Sequence, residues 1–245
     1  MRRRKSQRIT ASIILPVIIA AAVLSYFYSR DIYAAYLRFY YEKIRGLSTE
    51  DLTAEARSMY QRREYQEILS RLEPILAAYP DSRELRSLYG LSLIRLGHSE
   101  RGVDEVLTAA EDGKLNGEEL KVIVPALFDQ KRYRDIIAIF RVNTAAGNPH
   151  LLFMQGVALY QTGRTAEAAA VLRRAVEGGK DDYLAYYYLG VSLDRSGRPA
   201  DAVIPLERAR AMNREDSSVV EALASVYRKL GRYDQAARLL RSVTR

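Results

Sequence analysis

The sequence is dominated by a pattern that recurs at a fixed interval of 34 residues. Gly163, Gly197 and Gly231 each follow the previous one by that interval, and each interrupts two apolar runs. The stretch from Tyr186 to Ala209, YYYLGVSLDRSGRPADAVIPLERA, is typical. A fixed period of this length indicates stacked structural units, none of which can bury a core alone. The period therefore restricts the chain to a repeat architecture.

Aligned on these turns, the chain divides into six units, and each of them reads as helix, turn, helix. Apolar residues recur at helical spacing on both sides of the turn. The small residues Gly190 and Ala202 occupy facing positions in the fifth unit, where they would let its two helices approach closely. The predicted units are residues 49–82, 83–116, 117–148, 149–182, 183–216 and 217–245.

The order of these residues resembles the signature of the tetratricopeptide repeat (TPR) family. The signature is a large residue, Leu-Gly, an aromatic residue and then two alanines, and the fifth unit matches it at Tyr186, Leu189-Gly190, Ala202 and Ala209. The resemblance covers about residues 49–245, within a predicted TPR domain at 47–245, and implies an all-α, helix-turn-helix solenoid of about six repeats. Two departures stand out: Gly102 replaces the usual alanine, and Pro125 falls inside a first helix, where it predicts a kink or a break.

The resemblance also implies a function, because TPR solenoids generally bind proteins or peptides in a groove lined by their first helices. At those positions the fourth and fifth units hold mainly apolar and aromatic residues, which suit adaptable partner binding. A carboxylate clamp of Lys, Asn and Arg, known in the family, is absent. The predicted protein-binding residues are Phe153, Met154, Val157, Tyr160, Tyr187, Tyr188, Val191, Arg195 and Arg228.

Composition argues against several other functions. The chain has no cysteine and only two histidines, His98 and His150, so no metal or cofactor site is predicted. No catalytic motif is found, and the protein is predicted not to be an enzyme. The acidic pairs Glu118-Glu119 and Asp181-Asp182 lie at helix starts, where they favour the helix dipole. The net charge is +8, but residues 47–245 account for only +1, which argues against nucleic-acid binding.

The N-terminal residues predict a membrane anchor. Residues 9–28 contain no charged side chain, and their 20 residues would span about 30 Å as a helix. Residues 1–8 hold five basic residues, more than follow the run, which places the N-terminus in the cytoplasm and the repeats outside it. A cleaved signal peptide is the second interpretation, although an A-x-A-like site is missing, and a transit peptide is the third.

Two further segments have alternative interpretations. Residues 29–46 form an amphipathic stalk helix with Tyr33, Leu37, Tyr40, Tyr41 and Ile44 on one stripe. This helix either packs on the first repeat, which is the favoured interpretation, or lies in the membrane interface.

In the last predicted repeat, the side chains of Leu239, Leu240 and Val243 either form an interface for a homo-oligomer or are kept soluble by neighbouring arginines.

These features together predict a single-pass protein of a bacterial inner membrane. It resembles membrane-anchored proteins with a periplasmic TPR domain, and it would act as a scaffold or adaptor in envelope protein assembly or chaperoning. Its partners would be other proteins or peptides, and the bilayer through residues 9–28. A cytoplasm-facing scaffold and a self-assembling structural protein are the alternatives.

Overall fold

The computed structural model describes residues 29, 31–143 and 147–241, and every regular element in these ranges is helical. Helix α1 covers residues 31–39 and continues into a π-helical turn at Tyr40–Ile44. The later helices are α2 Thr49–Gln61, α3 Tyr65–Ala78, α4 Arg83–Arg95, α5 Ser99–Ala109, α6 Gly117–Asp129, α7 Tyr133–Val142, α8 Pro149–Gln161, α9 Thr165–Glu177, α10 Tyr183–Arg195, α11 Pro199–Met212, α12 Ser217–Lys229 and α13 Tyr233–Arg241. The predicted all-α solenoid is confirmed.

The predicted membrane span is not part of this description. Residues 9–28 lie outside the described residues, as does Val243. Among the helices of the described ranges, none combines the length and the apolar character needed to cross a bilayer.

The helices from α2 to α13 form six consecutive hairpins. The first helix of each hairpin contacts the first helix of the next one, so α2, α4, α6, α8, α10 and α12 stand side by side. We call this set the first-helix row. The second helix of each hairpin packs against the following first helix and covers the other side of the row. The apolar face of each unit is therefore buried partly by its neighbour, as the repeat pattern requires.

Each hairpin turns through one residue in the left-handed backbone region. Glycine occupies this position at Gly97, Gly163, Gly197 and Gly231, with φ between 73° and 91°. In the first and third units the same position holds Arg63 (φ 63°) and Lys131 (φ 56°). Because glycine adopts this conformation at less cost than any other residue, these two turns are strained, and the glycine signal is missing from these units.

Glycine at position 102, where alanine is usual in the repeat, has a structural explanation. A Cβ atom on Gly102 would lie 2.6 Å from the carbonyl oxygen of Gly90 and 2.9 Å from the backbone nitrogen of Ile94. A Cβ atom on Gly90 would likewise lie 2.7 Å from the carbonyl oxygen of Gly102. The backbones of α4 and α5 are thus in direct contact, and the second unit needs glycine on both helices.

Of the kink or break predicted at Pro125, the break does not occur. Helix α6 runs from Gly117 to Asp129 and includes Pro125. A proline removes one backbone donor from a helix, and burial of its apolar neighbours offsets this loss. Four of these neighbours are buried: Ile123, Val124, Ala126 and Leu127.

We expect Gly102→Ala to destabilise the protein, although alanine favours helices over glycine by about 1 kcal/mol. The new methyl group must separate two backbones, and overpacking of this kind costs about 1–3 kcal/mol. Gly117→Ala is the matched control, because it also lies in a helix and its Cβ would meet nothing within 4 Å. Thermal unfolding followed by circular dichroism measures both variants. A Gly102→Ala protein as stable as the Gly117→Ala control would contradict the close approach.

Candidate functional site

Four aromatic side chains meet on the first-helix row, on α8 and α10. The Tyr188 ring lies 6.1 Å from Phe153, 5.5 Å from Tyr160 and 5.3 Å from Tyr187, measured between ring centroids, and all three contacts are edge-to-face. Such geometry aligns the positive edge of one ring with the negative face of another. We call these four residues the aromatic cluster.

The repeat places these rings together. Phe153 and Tyr160 are seven residues apart on α8, which puts them on the same side of that helix. Tyr187 follows Phe153 by one 34-residue period, and it therefore occupies the equivalent position on α10. Because α8 and α10 are neighbours in the first-helix row, equivalent positions on them are adjacent.

Two cations lie against the cluster. The guanidinium carbon of Arg195 is 4.5 Å from the centroid of Tyr160, and Nζ of Lys180 is 5.3 Å from that of Phe153. Both distances fall within the range of a cation–π interaction. Lys180 is also ion-paired with Asp182, while Arg195 is solvent-exposed. Arg195 therefore gives the surface beside Tyr160 a positive charge, whereas the charge of Lys180 is balanced by Asp182.

The rings of the cluster are half-buried, so they combine packing with an accessible edge. All four pack against the core of the last three units. Burial raises the pKa of both Tyr187 and Tyr188 above the ordinary value, and the nearby Tyr160 phenol adds to the effect. At neutral pH these phenols are thus uncharged, and their hydroxyls can donate and accept hydrogen bonds.

The other predicted binding residues occupy different environments. Val157 and Val191 are 2% and 7% exposed, so they are core residues and present no surface to a partner. Met154 is half-buried and packs against the core of the preceding units. Arg228 is exposed on α12, next to Lys229, whose Nζ binds Asp194 of α10 at 2.6 Å. The structure therefore brings together five of the nine predicted residues.

A second feature of the row was not predicted from the sequence. A cavity of ≈ 880 Å³ lies between α2, α4 and the start of α6. Arg57 and Glu84, which both line this cavity, form an ion pair. The buried carboxylate of Glu119, also in the lining, accepts a hydrogen bond from the Ser87 hydroxyl. Glu119 also accepts from the backbone nitrogen of Asn116 at 2.7 Å, which completes a capping box. The capping pattern is visible in the sequence, but the long-range contact to Ser87 is not.

The row thus has a polar, charged end in the first three units and an aromatic end in the fourth and fifth. In the described residues no group of His, Cys, Asp and Glu could hold a metal ion. The arrangement offers shape, apolar contact and charge to a ligand, which are means of recognition.

Comparison with known proteins supports the repeat assignment. Two family models described as tetratricopeptide repeat match residues 153–218 and 220–245. Residues 153–218 and 220–245 therefore contain tetratricopeptide repeats. The first match contains the whole aromatic cluster. A search of curated protein sequences finds no match.

Several solved structures share the fold. A structure described as MamA MSR-1 C2 is 19% identical and covers 65% of this chain and 95% of its own, with a TM-score of 0.56. A structure described as MamA AMB-1 C2221 is 18% identical, covers 65% and 98%, and has a TM-score of 0.55. YrrB, "a TPR protein with an unusual peptide-binding site", is 16% identical, covers 77% and 97%, and has a TM-score of 0.59. At these identities the similarity establishes the fold alone.

We expect Tyr188→Ala to lower the free energy of unfolding by about 2–3 kcal/mol, because it removes three ring contacts and leaves a gap between α8 and α10. Tyr188→Phe keeps the ring and loses only the hydroxyl, so it should cost less than about 1 kcal/mol. Urea denaturation of the two variants and the unmodified chain provides the comparison. Equal stabilities of the alanine and phenylalanine variants would show that the cluster does not stabilise the row.

Proposed function

We propose that the protein is a scaffold that binds an extended peptide or a helix of a partner protein on the aromatic cluster. The observation that carries this proposal is the set of half-exposed rings around Tyr188, which lies on the row of first helices. The TPR fold and the peptide-binding site named for YrrB support it. We propose no catalytic role.

The chemistry of the cluster suggests which segments it would bind. Aromatic rings with accessible edges favour apolar and aromatic side chains, and buried tyrosines are frequent anchors of protein interfaces. The exposed Arg195 would attract an acidic group beside such an anchor. The expected ligand is a segment that combines an apolar or aromatic anchor with an acidic neighbour.

We further propose that residues 9–28 tether this scaffold to a bacterial inner membrane, with the repeats in the periplasm. The uncharged run and the excess of basic residues before it support this arrangement. The role would be in envelope protein assembly or chaperoning. A cytoplasm-facing scaffold is the alternative if the orientation is reversed.

Self-assembly is a second candidate function, and it rests on helix α13. Tyr233 and Leu240 of this helix are exposed, while Leu239 is buried in the core. An exposed tyrosine and leucine on the last described helix could meet a second copy. A rise of molecular mass with concentration in analytical ultracentrifugation would favour this function over a monomeric adaptor.

The combined change Phe153→Ala and Tyr187→Ala should weaken peptide binding at least about 10-fold, as expected for anchor residues. Peptides selected from a random displayed library against the full chain in nanodiscs provide the ligands, and calorimetry measures their affinity. Tyr233→Ala is the matched control, because Tyr233 is exposed on α13 and belongs to no part of the cluster. Helical content should be unchanged in both proteins.

Two results would contradict this prediction. Unfolding of the double variant would mean that both rings are structural and that the binding face lies elsewhere. Unchanged affinity in a folded double variant would mean that the selected peptides bind another surface.

The proposed orientation predicts the outcome of reporter fusions at Arg245. A reporter that is active only outside the cytoplasm should be active, whereas one that works only in the cytoplasm should be silent. The opposite pattern would place the repeats in the cytoplasm and would contradict the periplasmic assignment, while leaving the binding face unaffected.

A further inference from the structure

Helix α1 is attached to the first repeat along one side. Leu37 is buried, and Tyr41 packs against the core of the first two units. Nε of Arg38 donates a hydrogen bond to the backbone oxygen of Ala78 at the end of α3. The hydroxyl of Tyr79 donates to a carboxylate oxygen of Glu42 at 3.1 Å. Apolar and polar contacts together hold the helix on the solenoid.

The opposite side of the same helix is also apolar, and the described part of the chain leaves it uncovered. Ile32, Tyr36 and Phe39 have the spacing i, i+4, i+7, which aligns them on one stripe. Their side chains are 64%, 58% and 57% exposed. At 100° per residue this stripe points away from the side that carries Leu37 and Tyr41. Tyr33 and Ile44, two members of the predicted stripe, are exposed as well.

Such a stripe is not explained by the packing of the solenoid. Single exposed apolar residues are common on protein surfaces, but a contiguous group of them usually marks a contact with a partner or a membrane. In the described chain no other helix carries as many large exposed apolar residues: α11 has Ile204 and Met212, and α13 has Tyr233 and Leu240. The stripe of α1 therefore indicates a contact with a partner or a membrane.

We propose that the Ile32–Tyr36–Phe39 stripe lies in the interfacial layer of the lipid bilayer, so that α1 fixes the first repeat against the membrane surface. This proposal rests on the membrane tether of the proposed function. Its own argument is the juxtaposition of the exposed stripe with the end of the uncharged run at Tyr28, only four residues before Ile32. If this apolar run ends at the edge of the hydrocarbon core, the helix that follows it lies in the headgroup layer.

The residue types agree with this location. Tyrosine is enriched at membrane–water interfaces, where its ring contacts the acyl chains and its hydroxyl contacts water and headgroups. Basic residues follow the stripe at Lys43 and Arg45, and both are exposed and suited to anionic headgroups.

The proposal has a consequence for the binding face. Because α1 is attached to α3 and the first unit, a stripe held in the headgroup layer would fix the orientation of the whole solenoid relative to the membrane. The charged first units would lie nearest the lipid, and the aromatic cluster, on the fourth and fifth units, would be presented farther along the row.

The absence of tryptophan from the chain makes a direct test possible. The full chain is reconstituted into vesicles of phosphatidylethanolamine and phosphatidylglycerol as Tyr36→Trp, Phe39→Trp or Ile204→Trp. The last is the control, since Ile204 is exposed on α11, distant in sequence from the tether. Tryptophan emission is then quenched with lipids that carry a spin label near the headgroup and, separately, with acrylamide in the aqueous phase.

The proposal predicts blue-shifted emission and strong lipid quenching for Tyr36→Trp and Phe39→Trp, with little quenching by acrylamide. Ile204→Trp should show the reverse. Acrylamide quenching of all three, without lipid quenching, would show that the stripe faces water and would overturn the proposal. Protection of the two α1 variants from both quenchers would show that protein covers the stripe, which would overturn it as well.

Flotation of the same vesicles separates this inference from the proposed function. A chain that does not float with the lipid has no tether, and both proposals would then fail. If the chain floats but its α1 tryptophans are not quenched by the lipid label, only the proposal for α1 fails, because residues 9–28 would still attach the chain to the vesicle. Neither result depends on the aromatic cluster, so peptide binding is tested independently.

Discussion

The structure depends on the burial of each helical hairpin against the next one. A hairpin of some 34 residues cannot enclose a core, and its apolar face is stable only when a neighbour covers it. Close approach of the two helices within a hairpin makes this stacking possible. At Gly90 and Gly102 the approach is close enough that two backbones touch. The row of first helices, and every side chain displayed on it, follows from this packing.

The same stacking explains why a binding face arises without any local motif for it. Equivalent positions on α8 and α10 are separated by one period in the sequence and are adjacent in the structure, so rings distant in the chain meet around Tyr188. The row changes character along its length, from the ion pair of Arg57 and Glu84 to the aromatic cluster. If α1 also holds the first unit at a membrane, the charged first units would lie nearest the lipid and the aromatic cluster farther along the row.

Much of the fold could be predicted from the sequence, because the period and the turn glycines are local signals. The aromatic cluster was predictable in part, since repeat register places Phe153 and Tyr187 at equivalent positions on neighbouring helices, but the central position of Tyr188 was not. Val157 and Val191 were not predictable as core, because small shifts in helix rotation decide whether such a residue is exposed. No break occurs at Pro125, because tertiary packing outweighs a single missing backbone donor. The contact of Ser87 with Glu119 joins two units, and no local pattern encodes it.

The central claim is that partners bind the first-helix row at the aromatic cluster, and site-specific photocross-linking tests it most directly. A photoreactive amino acid is placed at Tyr187 in one full-length variant and at Ile204, which is 77% exposed on the second helix α11, in another. Both are expressed in cells and irradiated. The account predicts a discrete cross-linked species from position 187 and none from position 204. Cross-links from position 204 alone, or from neither position, would contradict it.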